Sequence, residues 1–255
     1  LTAIKKEHDI HFIAIATDYV SIPFWEETNP DYFIIPSEKL KADFMKKGIE
    51  EKKLIPLGIP VQLECSQDYK IEEVRKELNL KNDEKYILIL TGSMGFGNIK
   101  GLIKDLISEI KDANFIISCG NNNELLNELK NEYEGNDKII LLPFTDKLNL
   151  YIKASNIILT KPGGLTTTEI ATIGKPFIHT MPIPGCENYN SNFFQNLKMS
   201  IKSDTKEEVI KNTKKLLTDE KLQKEMVINQ RKYINRNASM DIAEFICKEL
   251  KEKGE

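Results

Sequence analysis

The chain has 255 residues, 40% of them apolar and 29% charged, and its 36 basic and 39 acidic side chains give a net charge of −3. This composition is typical of a soluble globular protein with a sizeable core, and the charge balance gives no general case for binding nucleic acid. The four cysteines are far apart and form no CxxC pair, so we expect reduced thiols and no structural zinc site. No apolar stretch approaches the roughly 20 residues that a membrane span requires.

The chain begins with charged and apolar residues in alternation, which is not the pattern of a signal peptide. Since the sequence begins with Leu1 and not with an initiator Met, we expect it to be either a fragment or a processed piece of a longer protein. Cys119 and Cys247 lie in apolar patterns, and we expect both side chains in the core.

Short runs rich in Ile, Leu and Phe recur along the chain. Most show no polar alternation, which is typical of strands buried on both faces, as in a parallel sheet. The predicted strands are His11–Thr17, Tyr32–Pro36, Leu54–Leu57, Tyr86–Thr91, Asn114–Ser118, Lys138–Leu142, Asn156–Thr160 and Pro176–Thr180.

Helical periods separate the later strands. Apolar residues recur every three or four positions over Asn98–Lys111 and again over residues 125–133, which gives each helix one apolar face. The tail from Thr205 to Glu255 is rich in Lys and Glu and almost wholly helical by pattern, and its charges are expected on solvated faces. Strands alternating with helices predict a doubly wound α/β sheet.

Two glycine-rich turns each join a predicted strand to a helix: TGSMGFG, Thr91 to Gly97, and the start of KPGGLTTTEIA, Lys161 to Ala171. Glycines let a ligand approach the backbone closely, and the free N–H groups of a helix N-terminus bind anions. The first turn taken alone could also be an ordinary strand–helix turn with positive φ angles. Because both turns follow parallel strands, they lie at one sheet edge and together indicate a diphosphate site.

A third loop, MPIPGCENYN, follows the strand Pro176–Thr180. Two prolines and a glycine make it rigid, and Glu187 and Asn190 share one face if a helix begins there. An acid and an amide suit hydrogen bonds to sugar hydroxyls. The alternative is that Glu187 or Asn188 caps the start of that helix.

In this order, TGSMGFG, a strand ending in LPFTD, KPGGLTTTE and PIPGCENYN resemble the motifs of the monogalactosyldiacylglycerol synthase and processive diacylglycerol glucosyltransferase family. That family is related to the N-acetylglucosaminyltransferase of peptidoglycan synthesis. Residues 16–61 look like the second half of its N-terminal domain. The resemblance implies an α/β fold of the GT-B type, with one complete Rossmann-like C-terminal domain and the second half of an N-terminal Rossmann-like domain.

The resemblance also implies a domain division. Residues 1–64 would be a partial N-terminal, acceptor-side domain, and residues 65–236 the domain that binds a UDP-sugar. Residues 237–255 would form a C-terminal helix that crosses back to the first domain.

The same resemblance implies the donor-binding positions. The glycine turns would face the diphosphate, and the loop that contains Phe144 would contact the uracil, largely through its backbone. Glu169 would bind the ribose hydroxyls, and Glu187 with Asn190 would lie near the donor sugar. Where the family usually has Gln, this chain has Cys186, so the identity of the sugar does not carry over. The implied donor-binding residues are Gly92, Ser93, Gly95, Phe144, Gly163, Gly164, Leu165, Thr166, Glu169, Glu187 and Asn190.

The family has a glycine-rich loop bearing a histidine, which has no counterpart in this sequence. If the sequence is a fragment, the resemblance implies that the main catalytic base lies in the missing N-terminal segment. Asp18, at the end of the first predicted strand, would face the cleft between the domains and is a candidate acid/base or acceptor contact. We interpret His8 and His11 as structural. We interpret His179 as a core residue, and the alternative is a supporting role beside the donor loop. The segment Ile22 to Trp25 would either contact a membrane or lie buried at a domain hinge.

The implied activity is the inverting transfer of a hexose from UDP-glucose or UDP-galactose to diacylglycerol or a related lipid. The resemblance implies no metal, which agrees with the lack of an Asp-x-Asp motif, and no cofactor. It implies a cytoplasmic protein at the inner face of the cell membrane, with no nucleic-acid partner. The alternatives are a glycosyltransferase acting on a polyprenyl-linked cell-wall precursor, and a non-catalytic remnant or subunit that binds UDP.

Overall fold

The computed structural model describes residues 10–92 and 99–253, which form two parallel β-sheets flanked by helices. The smaller sheet has three strands in the order β1-β2-β3. Its register places Ala14 beside Phe33 and Phe33 beside Leu54. Its strands are β1 (Ile13–Ile15), β2 (Tyr32–Ile34) and β3 (Leu54–Ile55).

The larger sheet has six parallel strands in the order β6-β5-β4-β7-β8-β9. The chain adds β5 and β6 on one side of β4, and then returns to add β7, β8 and β9 on the other side. The order therefore reverses between β4 and β7, and in open α/β sheets such a switch point is where ligands bind. The strands are β4 (Tyr86–Leu90), β5 (Asn114–Gly120), β6 (Ile139–Pro143), β7 (Ile157–Thr160), β8 (Phe177–Thr180) and β9 (Ile201–Ser203).

Ten α-helices connect or follow these strands within the described residues. The clearest caps follow the expected chemistry, since Thr205 accepts a hydrogen bond from the N–H of Glu208 and Asp219 accepts one from Leu222. The helices are α1 (Lys41–Lys46), α2 (Ile71–Glu77), α3 (Ile99–Glu109), α4 (Asn123–Glu132), α5 (Leu148–Ala154), α6 (Gly164–Ile173), α7 (Cys186–Asn196), α8 (Lys206–Thr218), α9 (Glu220–Tyr233) and α10 (Ala238–Lys253).

Strand β4 is buried along its whole length, as its unbroken apolar pattern predicts. Successive side chains point to opposite faces, so Tyr86, Leu88 and Leu90 join one apolar cluster while Ile87 and Ile89 join the other. The two clusters lie on the two faces of the large sheet. The first also includes the side chains beneath the small sheet, so one continuous core links the two sheets.

All eight predicted strands are confirmed, most of them shorter than predicted by one to four residues. The ninth, β9 (Ile201–Ser203), was missed because three residues with a central Lys202 give too short a pattern. Cys119 is buried as expected, but the prediction for Cys247 is wrong because its thiol is exposed. Ala238 and Ile242, four residues apart, define the buried face of α10. Cys247, five positions after Ile242, lies on a different face of the helix.

The end of the chain returns to the small sheet. The Asn235 amide donates to the Leu57 carbonyl at 2.8 Å, and the Ser239 hydroxyl donates to the Val61 carbonyl at 2.5 Å. Further along α10, the Phe245 ring packs edge-on against Tyr32 at 5.1 Å between centroids. The boundaries at residues 64 and 236 stay predictions.

Candidate functional site

A cavity of about 550 Å³ opens at the carboxyl ends of the large sheet's central strands. It lies at the switch point between β4 and β7, on the sheet edge at which the sequence predicts the ligand. The walls come from five successive strand ends and the loops after them. The lining residues are Leu90, Thr91, Gly92, Ser118, Gly120, Asn121, Phe144, Thr145, Leu148, Thr160, Lys161, Gly163, Thr166, Ile183 and Glu187.

The KPGG turn forms one wall of this cavity. Helix α6 begins at Gly164, and Gly163 precedes it with no side chain capping the exposed N–H groups. No atom lies within 4 Å of the place where a methyl group on Gly163 would stand, so the backbone is open to a ligand there. Thr166 lines the cavity one turn into the helix. An uncapped helix start beside open space is suited to binding an anion.

Gly164 needs to be a glycine for a different reason. The main chain of the segment after β1 lies directly against it, and a methyl group on Gly164 would overlap the Thr17 carbonyl oxygen and stand 2.9 Å from the carbonyl carbon. The Leu165 side chain, next along, is 50% exposed and is not part of the cavity wall. The part of the chain that carries β1, β2 and β3 is called the N-terminal lobe. The two adjacent glycines therefore face different neighbours: open space for Gly163 and the N-terminal lobe for Gly164.

Gly92 marks the first glycine-rich turn. It adopts a positive φ of 74°, and the stem of Lys161 lies over it, with Cδ 3.9 Å from the position of an added methyl group. Ser93 and Gly95, the other two predicted contacts of this turn, lie outside the described residues. Lys161 was missed by the sequence reasoning, although its place between the two glycine turns was a usable signal.

Phe144 and Glu169 stand at the predicted nucleoside end. Phe144 lines the cavity and is 70% exposed, so its ring is open to a planar ligand. Glu169 is half-buried one turn behind Thr166 and is not among the lining residues. Burial raises the pKa of its carboxyl, and no donor from the described residues forms a hydrogen bond with it. Its charge contributes, after burial, to the raised pKa of about 12 at Cys65.

The third loop places its two predicted residues differently. Glu187 lines the cavity, and its Oε2 also accepts a hydrogen bond from the N–H of Ile183 at 3.1 Å. Asn190 is fully buried and lies outside the lining. Its amide already bonds to three groups. The helix does begin at Cys186, but the shared position on one helix face does not bring both side chains to the cavity.

Asp18 and Tyr19 reach the site from the N-terminal lobe. Asn190 Nδ2 donates to Asp18 Oδ1 at 2.7 Å and to the Pro162 carbonyl at 2.9 Å, and Asn190 Oδ1 accepts from the N–H of Tyr19 at 2.6 Å. The sequence reasoning named Asp18 but not its contact with Asn190, because 172 positions separate the two.

The other residues considered for the site lie elsewhere. His179 is buried between Thr167 and Ser200, and burial lowers its pKa to about 3, as expected for a core residue. His11 Nδ1 lies 3.2 Å from Asp31 Oδ2, and His8 lies outside the described residues. In the segment Ile22 to Trp25, the Trp25 ring packs against Phe33, which fits the buried hinge position. Phe24 is 68% exposed, which fits the membrane contact.

Residues 10–92 and 99–253 contain no group of three or more His, Cys, Asp or Glu side chains arranged to hold a metal ion. None of their helices combines the length and the apolar character that a membrane crossing requires.

Comparison with known proteins gives the relatives of this chain. Residues 86–245 match the glycosyltransferase family 28 C-terminal domain, and residues 1–61 match monogalactosyldiacylglycerol (MGDG) synthase. The chain is 29% identical over 237 residues to the processive diacylglycerol β-glucosyltransferase of Bacillus subtilis, covering 92% of this chain and 62% of that protein. The Staphylococcus carnosus protein of the same name is 27% identical over 215 residues, which cover 83% of this chain and 54% of that protein. The chain thus spans about three-fifths or less of these relatives.

Solved structures resemble the fold. MurG of Acinetobacter baumannii aligns with a TM-score of 0.69 at 16% identity, covering 97% of this chain and 69% of that one. The S. aureus MnaA–UDP co-structure aligns with a TM-score of 0.67 at 19% identity, covering 87% and 61%. These likenesses establish the GT-B architecture predicted from the motifs. With a family match over residues 86–245 and these motifs at the switch point of its sheet, the chain belongs to the glycosyltransferase 28 family.

Proposed function

We propose that this chain binds a UDP-sugar in the cavity at the switch point and serves the transfer of its hexose to a lipid acceptor, diacylglycerol or a close relative. The observation that carries the proposal is the meeting of an uncapped helix start, an open glycine and a lysine at one cavity wall. The names of the curated relatives support diacylglycerol as the acceptor and glucose as the sugar.

The donor would lie along the cavity from Phe144 to Glu187. The uracil packs against the exposed Phe144 ring, and the diphosphate meets the N–H groups at the start of α6. Lys161 supplies a positive charge beside the same turn. Glu169, a half-buried carboxyl with no hydrogen-bond donor among the described residues, accepts hydrogen bonds from the ribose hydroxyls once a nucleotide reaches it.

The proposed reaction has one displacement step. The acceptor hydroxyl oxygen attacks the anomeric carbon, the bond from that carbon to the phosphate oxygen breaks, and UDP departs with the electron pair. The hydroxyl proton passes to a base. The resemblance implies that the main base lies outside this sequence, and Asp18 is the candidate on this chain. The helix start and Lys161 stabilise the charge that develops on the leaving diphosphate, so we expect no metal cofactor.

A lipid acceptor requires access to a membrane surface. We propose peripheral contact at the inner face of the cell membrane, to which the exposed Phe24 of the N-terminal lobe contributes. UDP-glucose and UDP-galactose both remain possible donors in this proposal, because Cys186 departs from the family pattern near the sugar.

Donor binding is tested by calorimetry with UDP on the chain and on Glu169→Ala. Loss of the carboxylate should weaken UDP binding by about 1.5–3 kcal/mol, the usual range for hydrogen bonds to a charged group. A matched control is Glu187→Ala, which lies at the sugar end and should leave the affinity for UDP itself unchanged. Equal binding by the chain and by Glu169→Ala, or no binding by either, would refute the donor-site assignment.

Transfer is tested on the full-length protein. UDP-glucose and UDP-galactose are each offered with diacylglycerol and with a polyprenyl phosphate, and the products are separated by chromatography. Glucosylated or galactosylated diacylglycerol is the expected product. Transfer to the polyprenyl acceptor alone would move the proposal to cell-wall synthesis, and UDP binding without any transfer would favour the non-catalytic alternative.

A further inference from the structure

Asn121 is a residue of the cavity wall to which the sequence reasoning assigned no role. It follows strand β5 directly, lines the cavity at the switch point and has an exposed side chain. No group of the described residues forms a hydrogen bond with its side-chain amide. One donor group and one acceptor are therefore open to whatever occupies the cavity.

The turn after β5 does not itself require this amide. Asparagine at such a position commonly caps the next helix, but here Asn122 does so, since its Oδ1 accepts from the N–H of Leu125 at 2.9 Å. Asparagine also tolerates a positive φ, but the positive φ of this turn belongs to Gly120, at 55°. Both common structural reasons for an asparagine are thus met by its neighbours, which favours a role toward a ligand.

The end of β5 places Asn121 beside Phe144. The register of β5 against β6 shifts between Ser118 and Gly120, and Gly120 then pairs with Pro143. A shift of this kind changes the direction of the side chains that follow it. Asn121 and Phe144 are the next residues after this pair, on strands that run about 4.8 Å apart, and both line the cavity.

The main chain around Asn121 is held on both sides. Before it, the N–H and the hydroxyl of Thr91 both donate to the Ser118 carbonyl, at 3.2 and 2.9 Å. After it, the N–H of Asn122 donates to the Cys119 carbonyl at 3.0 Å and closes the turn. Because the backbone is already fixed, only the side chain has to be ordered when a ligand binds.

We propose that the Asn121 side chain recognises the edge of the nucleobase whose face packs against Phe144. The N3–H group of uracil donates to Asn121 Oδ1, and Asn121 Nδ2 donates to one of the two carbonyl oxygens that flank N3. An amide offers an acceptor and a donor side by side, whereas an ammonium or a carboxylate would serve only half of this edge. The inference rests on the proposed function and adds a side-chain contact to the nucleobase.

The test is a thermodynamic cycle between the side chain and the N3–H group, measured by calorimetry on the full-length protein. UDP and its N3-methylated analogue are each titrated into the natural protein and into Asn121→Leu. The variant should bind UDP about fivefold to tenfold more weakly, the usual contribution of one or two neutral hydrogen bonds. N3-methylation should weaken binding to the natural protein about fivefold more than binding to Asn121→Leu, because leucine has no hydrogen bond to lose.

The matched control is Asn123→Leu, two positions further along and outside the cavity wall. It should bind UDP as the natural protein does. If N3-methylation weakens binding to the natural protein and to Asn121→Leu by the same factor, the proposal is overturned. Equal losses of UDP affinity in Asn121→Leu and Asn123→Leu would also overturn it, because the cause would then be a general disturbance of the loop.

Failure of the proposed function has a different signature. A natural protein that binds no UDP would overturn the donor site and the Asn121 contact together. Binding of UDP without the expected coupling would overturn the contact alone. Coupling in a protein that transfers no sugar would support the contact and favour the non-catalytic alternative for the chain.

Discussion

Replacing Gly164 with alanine tests how the two lobes meet at the donor turn. The added methyl group would overlap the Thr17 carbonyl oxygen and stand 3.2 Å from the Cα of Asp18. Both of these are backbone atoms, which cannot rotate away as the end of a side chain does. The segment 17–19 must therefore move away from α6.

The magnitude follows from the bonds that this movement strains. Three hydrogen bonds cross the contact: Tyr19 N–H to Asn190, Asn190 to Asp18, and Tyr19 hydroxyl to Thr168. At about 1 kcal/mol each their loss removes about 3 kcal/mol, and the better helix propensity of alanine returns up to about 1 kcal/mol. The net expectation is a fall of about 2 kcal/mol in the free energy of unfolding.

The assay is urea unfolding of Gly164→Ala with Gly163→Ala as the matched control. At Gly163 the methyl group meets no atom within 4 Å, so the free energy of unfolding should fall by only about 0.5 kcal/mol, as for a weakened helix cap. The same methyl group stands in the cavity wall, so Gly163→Ala should weaken UDP binding more than Gly164→Ala does. Equal unfolding curves for the two variants would refute the described contact of Thr17 with Gly164.

Three further predictions concern charge. Lys161→Met should weaken UDP binding by about 1.5–3 kcal/mol and leave uridine binding unchanged, with Lys161→Arg as the conservative control. Equal losses of affinity for UDP and for uridine would mean that Lys161 does not act on the phosphates. Burial, and after it the nearby Arg75, lower the pKa of Lys175 from an ordinary 10.5 to about 7. Between pH 7 and pH 10.5 the unfolded chain therefore binds more protons than the folded chain. The free energy of unfolding should rise with pH in this range, by up to about 1.4 kcal/mol per pH unit. Urea unfolding of Lys175→Met and of the natural chain at pH 7 and pH 9 checks this, because the variant should lack that rise. A difference in free energy of unfolding between the two chains that is the same at both pH values would contradict the prediction. Transfer by the full-length protein should be unaffected by excess EDTA, and restoration of lost activity by a divalent cation would show that a metal is required.

The strands were predictable because each buried one is an unbroken apolar run. In β4 both sheet faces are covered, so Tyr86 to Leu90 contains no polar residue, and the pattern alone identifies a central parallel strand. The cavity at the switch point was predictable for a related reason, because topology places the ends of β4 and β7 side by side.

The partnership of Asn190 with Asp18 was not predictable in this way. Local periodicity places Glu187 and Asn190 on one face of α7, and that part is sound. It says nothing of a segment 172 positions away, where the Asp18 carboxylate accepts from the Asn190 amide and the N–H of Tyr19 donates to it. Long-range polar contacts of this kind depend on how the lobes pack, and the pattern along one helix carries no trace of them.

The close approach of the Thr17 backbone to Gly164 bears on how a nucleotide would reach the cavity. The donor half of the cavity is open to solvent at Phe144, on the side away from this contact. A nucleotide would therefore enter and leave without separating Thr17 from the start of α6. Under the proposed function, the backbone contact between Thr17 and Gly164 would then stay in place while the nucleotide binds and leaves.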